Sequence, residues 1–296
     1  MSSVSTATIE ATAGADAVRR RARSRRATDA DLLFDEPGPR GRRRIAWASA
    51  LVTVVVLGLL ALGLWRLAAT GQLAYPKWRY FAGQTIVRYL LQALGDTLLV
   101  TAVGAVLSFP LGILLGWARL ARNRVASGAV GLWIDAMRAV PMLLLIYFFL
   151  LAVPRLGLTL PAFWMLTVPI VMCTSATTAE VFRSGVLALD GGQREAAAAL
   201  GMRSSLTMRL VLAPQALRLM LPTLITQLVT ILKDTSLGYV VAYGELMYGA
   251  RLLSSSARVT VRMDVYLPAY VIVAVLYVVI NWALGRAARA VEGRTR

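Results

Sequence analysis

Long, largely uncharged apolar runs alternate along this chain with short polar stretches. Six of them, at about 45–65, 94–117, 130–153, 160–180, 219–242 and 265–285, approach the twenty or so residues a helix needs to cross the hydrocarbon core of a bilayer. Helices satisfy their own backbone groups in lipid. The pattern therefore predicts an all-α fold: a polytopic bundle of membrane helices. The polar interruption at 181–218 stands out, because it is long and carries arginines between two candidate spans.

Charge gives this arrangement a direction. The chain holds 32 Lys and Arg against 15 Asp and Glu, a net charge of +17. With the N-terminus inside, the inner segments hold 22 basic residues and the outer ones eight. Basic residues gather in cytoplasmic loops, so both termini and the segment 181–218 are expected in the cytoplasm. The excess charge is thereby accounted for without nucleic acid. Residues 1–44, rich in Ala, Ser, Thr and Arg, read as a disordered basic cytoplasmic tail, and 286–296 as a short one. Between the first two spans, Trp78–Gln92 reads as an amphipathic outer helix whose Trp78, Tyr80, Phe81 and Tyr89 suit a membrane interface.

Composition removes several chemistries. There is no histidine and one cysteine, Cys173, which reads as a small buried packing residue. Imidazole acid–base catalysis, Cys/His metal sites and an intrachain disulfide are excluded. No catalytic residue, metal site or cofactor is expected, nor any G-x-x-x-x-G-K-[ST] loop for phosphates.

The polar residues inside the spans are candidates for function, with packing as the rival. In the second span Thr97, Thr101, Gly104, Ser108 and Gly112 share one face, which either packs closely or lines a path, and Pro110 is expected to kink the helix. In the third, Asp135 and Arg138 stand at i, i+3 before Pro141, where they either pair with each other near the inner interface or serve function. The fourth carries Thr174, Ser175, Thr177, Thr178 and Glu180, which either meet a solute or cross-link helices. In the fifth, Thr223, Gln227, Thr230 and Asp234 form a stripe with Lys233 beside it, read as facing a path or a subunit interface.

Within 192–222, Gln193–Leu200 is Ala-rich and predicted helical, with Gly201 placed to end the helix. Ser204 or Ser205 is expected to cap a second helix whose Met202, Leu206, Leu210, Ala213 and Leu217 form an apolar stripe. Patterning alone leaves two readings: a docking element, or an amphipathic loop lying on the membrane.

Several motifs in order resemble one family. Glu195-Ala196-Ala197 with Gly201, then Pro214-Gln215-Ala216, Arg218 and Pro222, resemble the EAA loop of permease subunits of ATP-binding cassette importers. Ala179–Gly185, Leu232–Leu237 and Arg138-Ala139-Val140-Pro141 resemble motifs of its polar amino-acid uptake branch. Ala213 and the Ala139-Val140 pair depart from the usual residues there. Leu33–Arg44 resembles the start of permeases from glutamate uptake systems.

The resemblance implies a five-helix permease core within 78–285, preceded by an extra N-terminal transmembrane helix at 45–66. It implies an importer subunit for a polar amino acid, glutamate favoured, in the cell membrane. Its partners would be a cytoplasmic ATP-binding cassette ATPase dimer, a second permease of the same or a sister kind, and an extracytoplasmic solute-binding protein. Glu195, Ala196, Ala197 and Gly201 would couple to the ATPase. Arg138, Thr177, Thr178, Glu180, Gln227, Thr230, Lys233 and Asp234 are the candidate path residues, with Arg138 and Gln227 toward the carboxylates of an acidic substrate and Glu180 either toward its ammonium or in a packing role. The rival is an ion-gradient-driven secondary transporter, which predicts internal repeats and broken helices around a midplane site.

Overall fold

The computed structural model describes residues 38–121 and 123–295. The disorder expected for 1–37 lies outside these residues, but 39–44, read as part of the same tail, are helical. The chain divides into two compact units, meeting in sequence at Thr70–Gly71.

The first unit contributes α1, Pro39–Ala69. Proline suits its first position, since the missing N–H would be unpaired there anyway. Nearly every described side chain of α1 is exposed.

The second unit begins with α2, Tyr75–Arg79, and a 3-10 turn at Tyr80–Ala82. Next comes α3, Gln84–Arg119, which runs through Pro110 without a break. The amphipathic helix expected at 78–92 does lead into the second span from Gln84 onward, but it is interrupted at Gly83. Gly83 sits in extended backbone, and the residues beyond it already belong to the helix that carries the second span.

The third span is not one straight helix. α4, Arg124–Ala139, and α5, Met142–Leu151, meet at 96°. Pro141 has no N–H to continue the ladder and pushes Val140 to φ −79°, ψ 127°, outside the helical region. Nor does Asp135 pair with Arg138. Its carboxylate lies 3.8 Å from Arg119, at the end of α3. The Arg119 guanidinium occupies the space a Cβ at Gly131 would fill and donates to the Ser127 carbonyl at 3.2 Å. Glycine at 131 lets the arginine cross α4 to reach its acid.

α6, Ala162–Leu187, is the central helix and packs along α3. The face read from Thr97 to Gly112 is buried throughout. A Cβ at Gly112 would stand 2.5 Å from the Thr178 Cβ, and one at Gly116 would stand 2.6 Å from the Ala179 carbonyl. Thr97 and Thr101 donate to carbonyls four residues back at 2.9 and 2.8 Å, so their hydroxyls are satisfied within α3. This face serves packing. Cys173 on α6 is half-buried.

Beyond the loop helix α7, Gly191–Ala199, an unbroken helical run leads from Ser204 to Val241. It consists of α8, Ser204–Thr207, a π turn at Met208–Leu212, α9, Ala213–Asp234, and a 3-10 turn at Thr235–Val241. α10, Leu246–Thr260, and α11, Tyr266–Thr295, close the unit around Phe81, Leu90, Ala93, Leu246, Ala250 and Val273. Among the described residues, five helical runs are long and apolar enough to cross a membrane, six if the bent α4–α5 pair counts as one span.

Candidate functional site

The loop at 191–212 has the turn expected of it. Asp190 caps α7 by accepting from the Gly192 N–H at 3.0 Å. Gly201 takes φ +71°, the left-handed conformation that glycine adopts without penalty, and Met202 N–H returns to the Ala197 carbonyl at 3.0 Å. Glu195 and Ala196 are exposed, whereas Ala197 is buried. The triplet thus presents two residues outward and fixes the third against the fold.

Two local expectations fail. Ser204 and Ser205 do not cap the second helix: its N-cap is Arg203, with no side-chain cap bond, and both serines lie in the first turn. The apolar stripe also changes face. Ala213 is buried, but Leu206 and Leu210 are 44 % and 60 % exposed, while Leu212, Ala216 and Met220 pack with Phe182 and Val186. The π turn is the reason. An i→i+5 turn adds a residue to the helical repeat, so a stripe drawn at constant α spacing is out of register on its two sides.

A cavity of ≈ 380 Å³ lies between α4, α6 and α9. Arg138, Thr177, Glu180, Ser184, Met220 and Thr223 are among its lining residues. Three of the eight predicted path residues, Arg138, Thr177 and Glu180, therefore converge, joined by Thr223 from the stripe on α9. Glu180 accepts from Arg183, from Nη2 at 2.6 Å and Nε at 3.1 Å, so its charge is neutralised within α6. Arg138 has no ion pair among the described residues. The cavity thus offers an unpaired cation, an acid already matched, and hydroxyl groups.

The other predicted residues lie elsewhere. Thr178 is buried in the α3–α6 contact beside Gly112. Thr230 donates to the Thr226 carbonyl at 3.1 Å, and Gln227 and Asp234 are half-buried further along α9; none of the three is among the residues lining the cavity. Lys233 borders a different, mainly apolar cavity of ≈ 580 Å³ with Met247, Tyr270, Val273 and Tyr277.

One polar cluster was missed. Glu245, with 0 % exposure, caps α10 by accepting from Met247 and Tyr248 N–H, each at 2.7 Å, and accepts from the Tyr277 hydroxyl at 3.1 Å. Thr97 on α3 accepts the neighbouring Leu246 N–H at 3.2 Å. Burial pushes the Glu245 carboxyl up to about 7, against the three donors pulling the other way. Its partners are far away in sequence, and glutamate is not a usual N-cap residue, so only the lone acid in a polar-poor stretch could have flagged it.

Comparison with known proteins identifies the family. Residues 108–296 match the family described as binding-protein-dependent transport system inner membrane component. The chain is 33 % identical over 198 residues to the probable glutamine ABC transporter permease protein of Bacillus subtilis, covering 67 % of this chain and 89 % of that one. It is 35 % identical over 234 residues to the glutamate transport system permease protein of Corynebacterium glutamicum, covering 78 % and 84 %. A crystal structure of an amino acid ABC transporter with histidines superposes with a TM-score of 0.65 at 26 % identity, covering 71 % of this chain and 95 % of that one. The gradient-driven alternative gives way to this match. The chain belongs to the binding-protein-dependent inner-membrane transport family: it is a multi-pass permease subunit of an ATP-binding cassette importer for amino acids, and not itself an enzyme.

Proposed function

We propose that this permease passes a glutamate- or glutamine-like amino acid through the cavity bounded by Arg138, Thr177 and Thr223. One observation carries the reading. The helical run that begins at Ser204 in the loop also carries Met220 and Thr223 in the cavity wall. Once past the Gly201 turn, a push on the loop is transmitted to the wall along one continuous helical run, the kind of element a bistable packing change can move.

In this reading a cytoplasmic ATPase pair holds the loop at Glu195 and Ala196, with Gly201 setting the angle between its helices. Nucleotide binding moves the loop, and α9 shifts against α6. A second permease completes the path, and an extracytoplasmic binding protein delivers the solute. The loop and both termini are then cytoplasmic, in keeping with the charge distribution. Arg138 takes the substrate carboxylate, because Glu180 is already occupied by Arg183. Glu180 accordingly positions Arg183 and does not hold the substrate ammonium.

The test is uptake of labelled glutamate and glutamine by proteoliposomes containing the chain, its ATPase, its sister permease and its binding protein. Arg138→Ala should lower ATP-driven uptake at least about tenfold, the scale of losing a charge-assisted hydrogen bond, while Thr178→Ser should leave it unchanged. Undiminished uptake by Arg138→Ala would remove the cavity from the path.

A further inference from the structure

We infer that the start of α1 is a binding site for anionic phospholipid headgroups. Arg40, Arg43 and Arg44 stand at i, i+3 and i+4, and at about 100° per residue they fall within an arc of about 100° on one flank of the helix. All three are exposed. Trp47, 77 % exposed, lies on the same flank one turn further along, between the directions of Arg43 and Arg44.

The depth of these groups follows from the sequence. No charged residue occurs from Ile45 to Trp65, a length of about 30 Å as helix, which matches the hydrocarbon core. Arg44 and its neighbours then stand at the level of the lipid phosphates, with Trp47 in the interface where indole rings collect. Guanidinium groups bind phosphate oxygens in pairs, so this flank meets the chemistry it is shaped for.

Net charge selects among lipids. α1 contains no Asp or Glu between Pro39 and Ala69, so it supplies no counter-charge of its own. The arginines also sit at the positive end of the helix dipole, where cations are unfavourable, and Gly38 gives no side-chain cap. Negative charge brought from outside relieves both effects. A zwitterionic headgroup carries its own cation against the arginines, whereas an anionic one does not. The site is independent of the transported solute and of which side of the membrane the N-terminus occupies.

The experiment uses the full chain in vesicles of equal parts phosphatidylcholine and phosphatidylglycerol, one or the other brominated in its chains. Quenching of Trp47 is isolated by subtracting the Trp47→Phe protein. Brominated phosphatidylglycerol should quench Trp47 about threefold or more above its share of the bilayer. The preference should vanish in Arg40→Gln/Arg43→Gln/Arg44→Gln. Should that variant fail to insert, the unmodified protein still decides: its preference should fall on raising sodium chloride and be the same when phosphate buffer replaces chloride at equal ionic strength. Equal quenching by both lipids, or a preference that survives the triple substitution, overturns the site. Specific displacement by inorganic phosphate overturns it as a lipid site.

Discussion

The Tyr277 hydroxyl on α11 donates to Glu245 Oε2 at 3.1 Å, across the start of α10. The same carboxylate accepts from two backbone N–H groups of α10, and Thr97 of α3 accepts the Leu246 N–H beside it, so three helices are joined at the start of α10. Removing the acid leaves donors buried without partners, whereas removing the tyrosine hydroxyl loses one bond. Glu245→Ala should destabilise by about 1–3 kcal/mol and Tyr277→Phe by about 0.5–1.5 kcal/mol. Thermal unfolding in detergent checks the order, and equal midpoints for Glu245→Ala and the parent would contradict it.

The same acid predicts a pH dependence. Burial raises its folded pKa from 4.5 to about 7, so the folded state favours the neutral form. The stability this contributes is fully present below 4.5 and is lost as pH rises through about 7. The midpoint of the parent, taken relative to Glu245→Gln, should fall between those values. A difference that stays flat or rises over that window contradicts the assignment.

Close contact of α3 with α6 rests on glycine. Gly112→Ala would place a methyl 2.5 Å from the Thr178 Cβ and 2.7 Å from the Ser175 carbonyl, one of them backbone that cannot step aside. A cost of about 1–3 kcal/mol is expected from such overpacking. Thr178→Ala added to Gly112→Ala should recover only part, since it removes the Thr178 Cγ2 at 2.7 Å but leaves both the Cβ and the Ser175 carbonyl. Gly128 has nothing within 4 Å of a built Cβ, so Gly128→Ala should cost nothing. Paired melting curves of the three variants test the contrast.

The spans were legible because hydrophobic length is a property of the segment itself. The small-residue face from Thr97 to Gly112 was legible for the same reason: its spacing is local, though only its partner Thr178 showed that the face serves packing. The turn at Gly201 followed from one residue's conformational freedom. Features set between segments were not legible. Asp135 finds Arg119, not Arg138, because α4 folds back on α3, and the spacing of the two candidates carries no trace of that. Leu206 and Leu210 face outward because one π turn shifts the register. Of the eight path residues, three meet because α4, α6 and α9 bring them together, while Lys233 and Thr178 belong to other surfaces. Composition identified polar residues in the membrane but not which cavity each one borders.

Coupling through the loop makes the most exacting demand. Glu195 is exposed on α7, so Glu195→Lys should leave the fold and thermal midpoint unchanged while reversing the charge offered to a partner. Gly201→Ala strains a left-handed position by about 1–2 kcal/mol and should tilt α7 away from its setting. Both should lower ATP-driven uptake without lowering the amount of folded permease in the membrane.

The central claim is that ATP hydrolysed on a partner subunit drives the solute through this chain by way of that loop. Its most direct measurement is amino-acid accumulation in proteoliposomes of the assembled importer, parent against Glu195→Lys, with ATP or with an ion gradient alone. The account predicts accumulation only with ATP and only in the parent. Accumulation driven by a gradient without ATP, or undiminished ATP-driven accumulation in Glu195→Lys, would contradict it.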